Sequence, residues 1–153
     1  MLFKSILVAL GEGGASRVAL REAVDMARAA HAKITAIFVV DHHLAVGDVI
    51  LEISEERIFR SFLHEEAERE LRHAKDLFSN YGVDGDTLMI DASGEPVSDV
   101  ICRIVSSTKA DVVVVERHDP TALERIFGGV ADKVLYKANV PVLLVSDCAS
   151  GDA

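Results

Sequence analysis

Apolar residues gather in five short runs: SILVAL at 5–10, KITAIFVV at 33–40, TLMI at 87–90, DVVVV at 111–115 and VPVLLV at 140–145. Most are apolar without interruption, as in strands covered on both faces, whereas a half-exposed strand alternates. Helical patterns separate the runs, so the order βαβα and a largely parallel sheet are predicted. After GEGGAS, residues Ala19, Ala23, Met26, Ala27 and Ala30 form a narrow small-residue stripe suited to close packing on a sheet, with Arg17, Arg21 and Arg28 facing elsewhere. A longer helix is predicted from Ser54 to Asn80, with Leu63, Ala67, Leu71, Ala74 and Phe78 on one face and Gly82 available beyond its end. The charges of HEEAERELRHAK read as its solvated side. A third helix takes Pro96 as its first residue and Val97, Val100, Ile101, Ile104 and Val105 as its buried stripe. Between them, DHHLAVGDVILE at 41–52 has weak periodicity and the length of a functional loop.

Length and charge narrow the possibilities. A chain of 153 residues suits one domain, able to bury roughly 70% of the surface it exposes when unfolded. Half its residues are hydrophobic, yet no apolar run approaches the roughly 20 residues that span a bilayer. The opening MLFKSILVAL lacks the apolar core and cleavage site of a signal peptide and runs directly into a strand, so a soluble, cytoplasmic protein is expected. Sixteen basic against twenty-five acidic side chains leave a formal net charge of −9. That charge repels phosphate backbones and anionic headgroups, which argues against nucleic acid and membrane surfaces as partners. Cys102 and Cys148 have no C-x-x-C spacing and read as free thiols rather than a zinc or redox pair.

With the elements placed, ILVALGEGGASRVALREAVDMA at the start and ADVVVVERHDPTALERIFGGVADKVLYKANVPVLLV near the end resemble the opening and closing halves of the universal stress protein family. The resemblance covers nearly the whole chain. It implies an open α/β sheet of five strands, mostly parallel with helices on both faces, in a single domain over 1–146 with a polar tail at 147–153. It also implies a homodimer joined partly through the last strand. In the ATP-binding branch of the family, a Gly, two residues, a second Gly, nine residues, then Gly with Ser or Thr wrap the phosphates. Here Glu116 and Asp119 fall at the first two glycines, and Gly128 and Gly129 match the final pair without its hydroxyl. Eight residues separate Asp119 from Gly128, one fewer than the family pattern, and Gly11 stands where an Asp is usual.

Glycines serve such a loop because they permit positive φ and let backbone N–H groups approach a phosphate unobstructed. Glu116 and Asp119 forfeit both advantages and add repulsion, about 1 kcal/mol per pair of unit charges at 4 Å in water and about 4 at an effective dielectric of 20. Asp119 before Pro120 reads instead as an N-cap and first-turn pair for a helix through TALERIF, and Glu116, Arg117 and His118 as a solvated loop. Gly128 and Gly129 either open the next helix with N–H groups that favour an anion, or make a tight connection between helices.

Elsewhere, Asp41, His42 and His43 after the second strand and Glu116, His118 and Asp119 after the fourth emerge at one sheet edge. Neither group has helix-imposed ligand spacing, so both are read as solvated loops and no metal is assigned. His31, His64 and His73 stand singly among helix charges, and Ser16, Ser93 and Ser98 lack the G-x-S-x-G elbow, so no catalytic set is assigned. The expectation is a regulatory or protective binding module that acts on an unidentified protein partner, without a cofactor. The alternative is an ATP or AMP switch with at most slow hydrolysis, its ligand held by Gly11, Val40, Gly128 and Gly129.

Overall fold

The computed structural model describes residues 3–11, 16–40, 53–117 and 129–146, with the backbone alone over 53–60. The elements run β1 (Ser5–Leu10), α1 (Ser16–Ala30), β2 (Lys33–Val40), α2 (Ile53–Tyr81), β3 (Gly85–Asp91), α3 (Val97–Thr108), β4 (Val112–Arg117), α4 (Val130–Lys137) and β5 (Val142–Ser146). All five strands lie in one sheet of order β3-β2-β1-β4-β5, and every pairing is parallel. The uninterrupted apolar runs are explained by this arrangement. Val112 through Val115 of β4 are all buried, as are Ile6, Leu7 and Val8 of β1, because helices cover both faces.

On one face α1 and α2 pack against the sheet through Ala19, Ala23, Ala27, Leu63, Ala67 and Phe78, meeting Ile6, Val8, Ile34 and Val114. On the other, Ile101 and Val105 of α3 and Ala131 and Val134 of α4 meet Leu7, Ile37, Val113 and Val115. The chain therefore winds outward from β1 through β2 to β3, then crosses over the sheet and winds the other way through β4 to β5. Its direction reverses between β1 and β4.

The predicted boundaries hold to within a few residues, with three corrections. Pro96 precedes α3 as its N-cap rather than serving as its first residue. Its ψ of 139° is extended, and its carbonyl accepts hydrogen bonds from the N–H groups of Asp99 and Val100. Glu116 and Arg117 belong to β4, not to a solvated loop, because they pair with Val145 and Ser146 of β5. The third correction concerns the charged face of α2. Glu70 is only 4% exposed, and the Arg17 guanidinium donates to both its carboxylate oxygens at 3.4 Å.

That pair exists because α1 and α2 cover the same face side by side, which the spacing within either helix cannot reveal. Gly82, with φ of 67°, closes α2 as expected. Gly85 opens β3 where the Phe78 ring lies so close that a Cβ would come within 2.3 Å of it. Of the other expectations, the 41–52 segment, the Asp119–Pro120 cap, the metal-ligand candidates Asp41, His42, His43 and His118, and Cys148 with the polar tail lie outside the described residues.

Removing Arg17 strands a buried carboxylate, whereas neutralising Glu70 leaves a half-exposed guanidinium that water can reach. Arg17→Met should therefore cost roughly 2 kcal/mol, and Glu70→Gln distinctly less. Urea denaturation of both variants measures the difference; equal midpoints for the parent and Arg17→Met would contradict the pairing.

Candidate functional site

In open parallel sheets a crevice forms beyond the carboxyl ends of the strands where the winding direction reverses, because the connections there leave toward opposite faces. In this chain that place is the end of β1 and β4, and a cavity of about 460 Å³ opens there. Its floor comes from the last residues of three neighbouring strands: Ala9 and Leu10 of β1, Phe38 through Val40 of β2, and Val115 with Glu116 of β4. Leu63 of α2, Val97 and Ile101 of α3, and Val130 with Ala131 at the start of α4 complete the wall. Among the described lining residues, Glu116 is the one ionisable side chain.

Two of the four residues singled out for a ligand, Gly11 and Val40, line this cavity, and a third, Gly129, directly precedes its wall. Gly11 lines the cavity directly after β1, and its carbonyl accepts a hydrogen bond from the buried Ser16 hydroxyl at 3.1 Å, which ties the first turn of α1 to the strand end. A Cβ built on Gly11 meets nothing within 4 Å, so packing does not demand glycine at this position. Val40 presents an apolar wall, and its carbonyl is taken by the Ala92 N–H at 2.9 Å. Gly129 is the N-cap of α4, with φ of −88° and ψ of 174°, directly before the lining residues Val130 and Ala131. It opens the helix, as one of the two sequence readings had it. Gly128 lies outside the described residues.

The charges around this wall are already engaged. Asp132, in the first turn of α4, supplies the negative charge that complements the helix dipole, and Arg117 approaches it at 3.8 Å. Glu116 itself is half-buried and held in the ladder against Val145, so its position is fixed by the sheet. Leu63, Val97, Ile101 and Val130 carry no signal in the sequence that separates them from core positions. A stripe residue at the open end of a sheet has the same periodicity as one at its centre.

Other chemistry-bearing groups do not join the site. Cys102 is half-buried on α3, where burial, reinforced by Asp99 and opposed by Lys137, pushes its thiol above the ordinary range and away from the reactive thiolate. Ser98 is buried on the same helix and finds no hydrogen-bond partner among the described residues, but it is not part of the cavity wall. No group of three or more potential metal ligands occurs among the described residues.

Because the space beside Gly11 is open, Gly11→Ala should change stability by no more than about 0.5 kcal/mol. Chemical denaturation tests this, and a larger loss would show a backbone or packing demand at the strand end.

The model of the universal stress protein family matches residues 2–146. Universal stress protein MJ0531 of Methanocaldococcus jannaschii is 33% identical over 145 residues, which span 94% of this chain and 82% of that protein. A universal stress protein family member from Burkholderia pseudomallei shares the fold with a TM-score of 0.72 and 27% identity, over 93% of this chain and 95% of the other. The universal stress protein from Archaeoglobus fulgidus in complex with dAMP has a TM-score of 0.63 at 23% identity, over 94% of this chain and 98% of the other, a likeness of fold. The fold, the order of its elements and the match over almost the full length agree: this chain belongs to the universal stress protein family.

Proposed function

We propose that this chain is a cytoplasmic regulatory or protective binding module that does not hold ATP in the conventional way and whose state is read by a protein partner. The observation that carries this reading is the cavity wall itself, apolar throughout its described residues except for one carboxylate. A triphosphate brings several negative charges, and each one near Glu116 costs about 1 kcal/mol at 4 Å in water and about 4 at an effective dielectric of 20. With each 1.4 kcal/mol worth a factor of ten in affinity, a carboxylate beside the phosphates weakens triphosphate binding. The first turn of α4 already carries Asp132, which complements the helix dipole that a phosphate would otherwise use. The module binds rather than turns over, and no residue is assigned a catalytic role.

A second reading, a mononucleotide switch, is favoured by Gly129 capping α4 beside the cavity and by the dAMP complex of the Archaeoglobus protein. Isothermal titration with Mg-ATP separates the two. We expect no binding in the low micromolar range; a dissociation constant there or below would overturn the first reading and establish the second.

The proposed assembly is a homodimer through β5. This strand is a sheet edge, with Leu143 exposed, and the neighbouring α4 carries Leu135 and Tyr136, the latter 93% exposed. Such an edge invites pairing with a second copy, and antiparallel pairing of β5 with itself has the two-fold symmetry of a closed dimer. The parallel ladder to β4, in which the Val113 N–H donates to the Pro141 carbonyl, turns the Leu143 N–H inward and those of Val142 and Leu144 toward the open edge. Val142→Pro removes an outward donor and spares the inner ladder. Light scattering should report a dimer for the parent chain and a monomer for the variant, whereas a monomeric parent would refute the assembly.

A further inference from the structure

A second cavity opens at the opposite edge of the sheet, where β1, β2 and β3 begin. We infer that it binds a phosphate group, with Arg28, His31 and Lys4 as the donors; this stands apart from the reading of the cleft given above.

This cavity, of about 950 Å³, is walled by the end of α1 and the turn after it, by the segment between α2 and β3, and by Lys4 just before β1. In a chain of net charge −9, Lys4, Arg28, His31 and Lys33 all line it, against Asp25 and Asp84. The sheet assembles this group: β1 lies beside β2, so the Lys33 N–H donates to the Lys4 carbonyl at 3.0 Å and the two distant segments meet. Lys33 is already engaged. Its ammonium lies 3.0 Å from Asp86, and that hydrogen bond, reinforced by the charges of Asp86 and Asp84, raises its pKa above the ordinary range. Asp84 is offset in the same way, which leaves Asp25 against Lys4, Arg28 and His31.

Two features prepare these groups for an oxyanion. The Arg28 guanidinium lies over the Tyr81 ring, 5.1 Å from its centroid, and makes no ion pair or hydrogen bond among the described residues. Stacking restrains the guanidinium and leaves its N–H fork open to a bidentate acceptor. His31 holds the left-handed position that closes α1, with φ of 53°, and the Ala32 N–H donates to the Ala27 carbonyl. The end of α2 is closed by the same bonding, Val83 N–H to Phe78 carbonyl, but there glycine, Gly82, takes the left-handed position. Glycine serves that conformation better, so capping alone does not account for an imidazole in the cavity wall. A carboxylate would be satisfied by the Arg28 fork alone. A phosphate monoester brings three acceptor oxygens and nearly two charges, which suits a fork joined by an ammonium and an imidazole. The volume stands near the upper end of small-molecule sites, roughly 300–1,000 Å³, and leaves room for the group that carries the phosphate.

Calorimetric titration of the full chain with inorganic phosphate, O-phosphoserine and acetate at low ionic strength tests the assignment. We expect both phosphate probes to bind at least about tenfold more tightly than acetate, and Arg28→Gln to weaken them by a similar factor. Tighter binding of O-phosphoserine than of inorganic phosphate identifies a phosphorylated molecule as the source, and any other order identifies the free ion. His31→Gly separates recognition from folding, because it relaxes the left-handed position: its urea midpoint should rise while phosphate affinity falls. Both substitutions alter exposed side chains, so neither threatens the fold. A parent chain that binds neither phosphate probe overturns the inference, as does acetate binding equally tightly or an unchanged phosphate affinity in either variant.

Discussion

The structure depends on the double burial of its two central strands. β1 and β4 give almost their whole length to the core, so neither face can be left to water and each neighbouring connection must carry a covering helix. Parallel strands joined by such crossovers all point the same way, which brings every strand's carboxyl end to one edge of the sheet. Because the chain winds outward in both directions from β1 and β4, their connections separate at that edge and leave a crevice. The cavity is thus a geometric by-product of covering a hydrophobic sheet on both sides, and its floor is apolar because it is the end of the core.

Two polar features are fixed by that same packing. α1 and α2 lie on one face because β1, β2 and β3 are consecutive neighbours, and their proximity brings Arg17 to the otherwise buried Glu70. The pair connects the first turn of α1, which follows the Gly11 edge of the cavity, with the helix that contributes Leu63 to its wall. At the far end of α2, the Phe78 ring occupies the space that a side chain at position 85 would need. Both contacts set where α2 lies against the sheet, the first by charge and the second by shape.

The cleft's electrostatics follow from one residue's secondary structure. In a flexible loop, the Glu116 carboxylate could turn to water and leave room for an anion. As a member of β4, paired with Val145, it is held at the rim. The shift of two residues in the end of β4, from Val115 to Arg117, thus changes the chemistry expected of the site more than any other boundary does. It places a carboxylate that a loop would solvate at the end of the strand, beside the cavity.

By itself the sequence determined the five strands, the parallel order implied by their unbroken apolar runs, the helix stripes, and the family, because these rest on local periodicity and on the order of segments along the chain. It also marked Gly11 and Val40, which the fold brings to one cavity, and Gly129, which directly precedes the wall residue Val130. Tertiary structure alone decided that Leu63, Val97, Ile101 and Val130 line that cavity, since core and cleft positions share one period along a helix. It alone decided that Glu70 is buried, because the cation that pairs with it comes from another helix 53 positions away. It alone decided that Glu116 is a strand residue, because its partner strand is contributed by Val145, beyond an intervening helix, and pairing across that distance leaves no trace in local pattern.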